Sequence, residues 1–319
     1  MTVTANLPLI DMAGVHEGDE AALHRAGEAI RKACSETGFF YIINHGVPQA
    51  VIDAAMAAAK TFFAFPPEVK RQVAVNKRHR GWHALGGALM YEATKPDFKE
   101  FFSMGLELPE DDPCVLAGEA LRGPNQWPDF MPELRLALDA YYEAMGRAGA
   151  DLLRAVAVGL GIEPEFFSPK YGKRLQRTQM VYYPPHPPMA ESDQFGVAPH
   201  TDYGCITLLY QDNSGGLQVR ELSTDSWIDA TPIEGSLVVN VGDLLARWSN
   251  DRFRSTLHRV INKSGHERYS IATFYDPTFS AVVDPCDLGV DTGSYPPVTA
   301  GAYILKRIDD SMAYRKKAQ

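Results

Sequence analysis

The chain has 319 residues, 45% of them hydrophobic and 22% charged, with a formal net charge of −9. That is ample apolar sequence for a large buried core in one elaborated domain or in two, and the acidic balance excludes the basic footprint of a nucleic-acid-binding protein. Four scattered cysteines (Cys34, Cys114, Cys205 and Cys286) with no C-x-x-C pair argue against a disulfide framework, and no apolar run reaches the length of a membrane span.

Leu7-Pro8-Leu9-Ile10-Asp11 reads as a short strand, not as the basic and then apolar start of a signal peptide. Leu23, Ala26, Ile30 and Cys34 recur at helical spacing, and that helix stops near Gly38. Phe39-Phe40-Tyr41-Ile42-Ile43 is an apolar run closed by Asn44-His45-Gly46, a buried strand and turn. A second helix is expected over residues 48–63, before Pro66-Pro67. Residues 75–130 are rich in Gly, Pro and charge, and are expected to form a long irregular cover over a site. A long helix follows over 132–160, with Leu138, Tyr141, Met145, Leu152 and Val156 on its apolar face and Gly161 at its end.

Beyond Leu175, short β-type runs alternate with turns, at 179–183, 205–210, 217–220, 237–241, 256–261 and 269–275. Many short strands with such punctuation suggest a sandwich or jelly roll. Residues 300–316 read as a basic helix.

Chemistry concentrates in Pro199-His200-Thr201-Asp202-Tyr203-Gly204 and Leu257-His258-Arg259-Val260. Residues i and i+2 of a strand share a face, so His200 and Asp202 are expected to point together, with His258 arriving from another strand. Two imidazoles and a carboxylate on one face of a metal leave adjacent positions open, a donor set suited to iron(II). H-x-D alone is a weak signal. Arg268-Tyr269-Ser270, ten residues beyond His258, sharpens it. A guanidinium fork and a hydroxyl on one strand face match a carboxylate.

These motifs, in this order, resemble the isopenicillin N synthase-type 2-oxoglutarate/iron(II) dioxygenases, and the resemblance runs over almost the whole chain. Ala33-Cys34-Ser35-Glu36-Thr37-Gly38-Phe39-Phe40, Tyr182-Tyr183-Pro184-Pro185, Gly215-Gly216-Leu217-Gln218-Val219, Gly242-Asp243 and Trp248-Ser249-Asn250 belong to it as well. It implies a mainly β fold with flanking helices, a double-stranded β-helix (jelly-roll) core and an N-terminal α/β region. The parts would be an N-terminal dioxygenase region over 1–120, a linking long helix over 121–172, the catalytic core over 173–285 and a C-terminal helical tail over 286–319. It also implies His200, Asp202 and His258 as iron ligands, Arg268 and Ser270 on the 2-oxoglutarate carboxylate, and Tyr183 as a further contact to that co-substrate.

Two departures stand out. Val181 replaces an asparagine usual in plant members, a loss Gln179 would partly make good, and His186 replaces a cysteine. Tyr91-Glu92 and Pro96-Asp97-Phe98-Lys99-Glu100-Phe101-Phe102 fall in the region that covers substrate in such proteins. Tyr91, Phe102 and Phe274 are pocket candidates, with core packing the plainer reading. His45 is read as structural, His186 as a turn residue, and His79, His83 and His266 as solvated. Cys205 is read as a buried neutral thiol; Asp243 and Asn250 are read as turn residues.

The expected function is oxidation, above all hydroxylation, of a small organic molecule with O2 and 2-oxoglutarate, giving succinate and CO2, with ascorbate as an optional reductant. A 2-oxoglutarate-independent iron oxidase or cyclase, an ethylene-forming enzyme and a non-catalytic metal-binding jelly roll are the rivals. The protein is expected to be a cytoplasmic monomer without nucleic-acid or membrane partners, acting in secondary metabolism.

Overall fold

The computed structural model describes residues 7–89, 95–185, 194–290 and 292–312. Tyr91, Glu92, His186 and the end of the expected tail helix lie outside them.

The chain opens with β1 (Leu9–Asp11) and then α1 (Glu20–Glu36). Asp19 caps α1 by accepting hydrogen bonds from the Ala21 and Ala22 amides, satisfying donors a helix start leaves bare. The helix ends at Gly38, whose φ of +69° turns the backbone into the apolar β2 (Phe39–Ile43). Next come α2 (Gln49–Ala64), the short α3 (Pro67–Lys70), β3 (Gly81–His83), β4 (Glu100–Gly105) and the one-turn α4 (Pro113–Leu116). The long α5 (Glu133–Leu160) is terminated by Gly161 at φ +75°. It packs against α1 and α2. Gly27 and Gly159 meet at the α1–α5 crossing, where a Cβ on Gly159 would lie 2.8 Å from the Gly27 carbonyl.

The strands of the second half are β5 (Arg177–Tyr183), β6 (Val197–His200), β7 (Ile206–Gln211), β8 (Leu217–Arg220), β9 (Trp227–Asp229) and β10 (Leu237–Val241). After the short α6 (Asp243–Trp248) come β11 (His258–Val260) and β12 (Arg268–Tyr275), then a minor hairpin of β13 (Val282–Val283) and β14 (Val298–Thr299) that leads into α7 (Ala300–Ser311). An eight-stranded sheet in the order β1-β2-β10-β7-β12-β5-β4-β3 faces a four-stranded sheet, β6-β11-β8-β9. This is the jelly roll, with helices flanking the large sheet.

Two expectations change. Residues 75–130 are not simply an irregular cover, because they supply β3 and β4 to the large sheet, and every residue of β4 is buried. Their charges hid this, since those charges are satisfied inside. Glu100 accepts from Lys70 Nζ at 2.8 Å and from Trp82 Nε1 at 2.5 Å. For the same reason His79 and His83 are buried, not solvated, and His83 stacks on Phe101 with ring centroids 3.9 Å apart. His266 is exposed, as expected.

A candidate metal centre between two sheets

His200 is the last residue of β6, and Asp202 lies two residues on, past the strand end. The two side chains point together as expected, although not by strand parity: the loop past the strand end turns Asp202 inward. His258 opens β11 and pairs directly with His200 across the antiparallel ladder. The Nε2 atoms of both histidines lie 3.7 Å from Asp202 Oδ1. One potential ligand atom from each of the three residues falls within 4.8 Å of the others.

The remaining polar atoms of the three side chains are held by protein. His200 Nδ1 donates to the Ala198 carbonyl at 2.8 Å and His258 Nδ1 to the Thr256 carbonyl at 3.2 Å, which turns both Nε2 lone pairs toward the common point. Asp202 Oδ2 accepts from Thr207 Oγ1 at 2.5 Å and from Asn240 Nδ2 at 2.8 Å, leaving Oδ1 for a cation. Burial, reinforced by His258, pulls the His200 imidazole down to about 3, so it is neutral at ordinary pH. Burial opposes the charge on Asp202, but His258, His200 and the two hydrogen bonds outweigh it and hold the carboxyl below its usual range. No fourth His, Cys, Asp or Glu joins the cluster among the described residues. Two imidazoles with one carboxylate and open positions fit iron(II) and do not fit a closed structural zinc site.

The same cavity reaches Arg268, Ser270 and Tyr183. Arg268 is fully buried at the start of β12. It donates through Nε to the Gly215 carbonyl at 2.7 Å, through Nη2 to Gln211 Oε1 at 3.2 Å and through Nη1 to Ser270 Oγ at 3.3 Å. Register explains the grouping, since Arg268 lies opposite Tyr183 on β5 and Ser270 lies opposite both Val181 and Gln211. The guanidinium sits 4.6 Å from the centre of the Tyr183 ring. Tyr183 thus supports Arg268 through its face, a role that the expected co-substrate contact did not include. Gln179 and Val181 line the cavity too, as does Phe274. Phe102 packs in the core against Phe62.

Several contributors escaped sequence reading. Thr207, Asn240 and Gln211 act through hydrogen bonds from neighbouring strands and carry no motif of their own. Asp243 is no mere turn residue. As the first residue of α6 it pairs with Arg307 of α7 at 2.6 Å and accepts from Thr201 Oγ1 at 3.1 Å and Ser255 Oγ at 2.7 Å. Cys205 is buried, with its thiol pushed well up by burial, as expected of an inert neutral group. His45 Nδ1 accepts from the Val47 amide at 3.2 Å, consistent with a structural role.

The family model described as "non-haem dioxygenase in morphine synthesis N-terminal" matches residues 7–130, and that of the "2OG-Fe(II) oxygenase superfamily" matches residues 175–277. The 2-oxoglutarate-Fe(II) type oxidoreductase hxnY of Emericella nidulans is 37% identical, over 97% of this chain and 93% of that protein. Azadirone synthase LFS of Melia azedarach is 36% identical, over 97% and 93%. Among solved structures, a full-length Neurospora crassa protein in complex with alpha-KG and thymine superposes with a TM-score of 0.82 at 32% identity, covering 95% of this chain and 96% of that one.

Proposed function

The chain belongs to the 2-oxoglutarate/iron(II)-dependent oxygenases, and on that premise we propose that His200, Asp202 and His258 hold the iron while Arg268 and Ser270 take the distal carboxylate of 2-oxoglutarate. The protein is an enzyme that oxidises a small organic molecule, and hydroxylation is the outcome proposed here. The observation that carries the residue roles is one cavity with three convergent metal-ligand atoms in one part and a buried, pre-oriented guanidinium in another.

Iron(II) with bound 2-oxoglutarate supplies O2 activation coupled to loss of CO2, leaving succinate and an oxidant able to attack a C–H bond. The protein's own share is placement. Ala198 and Thr256 carbonyls fix the two imidazoles in the tautomer a metal needs. Thr207 and Asn240 hold one carboxylate oxygen so that the other faces the metal. Gly215 and Gln211 lock the Arg268 fork in a buried site, where a carboxylate is bound with little reorganisation. Phe39, Leu217 and Val260 give the cavity apolar walls that keep water from the reacting centre.

The four cysteines are unpaired, which favours a reducing compartment such as the cytoplasm. No helix among the described residues is long and apolar enough to cross a membrane. A monomer without nucleic-acid partners, a role in secondary metabolism, ascorbate as an optional reductant and the four-part division at 120, 172 and 285 complete the proposal.

The test is anaerobic addition of iron(II) and 2-oxoglutarate to apo protein, followed by O2. A visible metal-to-ligand charge-transfer band and then stoichiometric succinate are expected. Without band or succinate the residue assignment fails, and oxidation that proceeds without 2-oxoglutarate would favour the oxidase alternative.

A further inference from the structure

A second cavity opens onto His200 and Asp202 and shares Lys99, Gln179 and Phe274 with the one that reaches Arg268. Three aromatic rings form its walls, and each carries a cation over its face. Lys99 Nζ is 5.5 Å from the Phe101 centroid, the Arg177 guanidinium 4.9 Å from Phe274 and the Arg307 guanidinium 4.8 Å from Tyr203. Ile308 and Met312 add an apolar patch.

Charge in this wall is one-sided. Lys99 pairs with Asp97 at 3.2 Å and Arg177 with Asp276 at 3.3 Å, and all four side chains are largely buried. Yet neither Asp97 nor Asp276 lines the cavity, whereas both cations do. The two carboxylates stand behind, each anchored to a backbone amide: Asp97 accepts from Ala198 at 3.1 Å and Asp276 from Cys205 at 2.7 Å. Arg177 Nε finds no acceptor among the described residues. Asp202 is the single acidic residue in the lining among the described residues, and it is one of the proposed iron ligands. Buried cations that face an empty volume, with their counter-charges held at the rear, form a receptor for an anion. Aromatic walls add a flat, apolar component.

Resting on the oxygenase reading above, we propose that the substrate to be oxidised is a small aromatic acid. Its ring lies among Phe101, Tyr203 and Phe274, its carboxylate meets Lys99, and Arg177 adds its field. Such a pose leaves a C–H bond beside His200 and Asp202.

The holoenzyme, loaded with iron(II) and 2-oxoglutarate under argon, is titrated with benzoate, cinnamate and furan-2-carboxylate, each against its neutral amide. Binding is read by the change in the charge-transfer band and by calorimetry, not by turnover. At least one acid is expected to bind about tenfold or more tightly than its amide, the worth of one charge-assisted hydrogen bond. Lys99→Met abolishes that preference and Lys99→Arg keeps it. Equal affinity for acids and amides, no binding by any acid at millimolar concentration, or a preference that survives in Lys99→Met overturns the proposal. So does a Lys99→Met variant that changes only the 2-oxoglutarate concentration needed to develop the band, for Lys99 would then serve the co-substrate. A band that forms without acid preference defeats this inference alone, whereas a band that never forms in the unaltered protein defeats the oxygenase assignment beneath it.

Discussion

His258 stands directly across the β6–β11 ladder from His200, and their ring centroids are 4.2 Å apart. Cross-strand pairing, not proximity in sequence, brings the two imidazoles together. Removing either leaves one imidazole and a carboxylate, too few donors to hold a divalent ion against water. His258→Ala is expected to weaken iron(II) binding by more than about a hundredfold, beyond the range of losses seen for outer-shell changes. Anaerobic iron titration of a folded variant checks this. Wild-type affinity in that variant would remove His258 from the site.

Asn240 and Thr207 both donate to the same oxygen of Asp202. Asn240→Ala frees that oxygen to rotate and is expected to cost about 10- to 100-fold in iron affinity. Circular dichroism should show the fold retained, and Thr207→Val should behave alike.

Arg268 is buried and already bonded to Gly215, Gln211 and Ser270. Arg268→Met is expected to raise the 2-oxoglutarate concentration for half-maximal band formation by about thirtyfold or more, the loss of a desolvated charge pair. Ser270→Ala should cost only about fivefold, as for one neutral hydrogen bond. A reversed order of the two effects would misplace the carboxylate.

His83 is buried against Phe101, and burial, aided by Lys99, pulls its imidazole down to about 3. The unfolded chain titrates near 6.5, so between about 6.5 and 3 it binds a proton that the folded protein refuses. Stability from this group is complete above the unfolded value and declines as pH falls through that window. Urea midpoints of the unaltered protein should therefore drop between pH 7.5 and pH 5, two test conditions of about neutral and acid, more than those of His83→Gln. Parallel pH profiles would show that His83 is not the group responsible.

Gly38 turns the chain from α1 into β2 at φ +69°, and a Cβ there would collide with the Arg254 carbonyl. Gly38→Ala must strain the turn and move Arg254. A loss of about 2 kcal/mol or more in unfolding free energy is expected, measured by urea titration.

Much of this site was legible because its chemistry lies in residue types at fixed order. H-x-D, a later histidine and R-x-S needed only strand logic, and Arg268 and Ser270 do share a face of β12. Even so, Asp202 reaches the centre from beyond the strand end, a turn that parity could not foresee. The second cavity was hidden for a different reason. Lys99 precedes β4 and Arg177 opens β5, at opposite ends of the ladder those strands form, yet both side chains line one cavity. His79 and His83 read as solvated because polar neighbours suggest solvent, unless one knows that Lys70 and Glu100 are joined inside. Pattern reading follows one element at a time, whereas these contacts belong to the order of strands.

Through Arg307, α7 is tied to Asp243 and to Thr201, the residue between His200 and Asp202. Ile308 and Met312 of the same segment line the second cavity. All three proposed iron ligands have left the ribosome's active centre well before α7 begins at Ala300. The three proposed ligands are therefore synthesised before the helix that finishes the wall of the second cavity. A polypeptide cut ahead of Ala300 would lose, in one step, the Arg307 tie to Thr201 beside two of the proposed iron ligands and the Ile308 and Met312 wall of the second cavity.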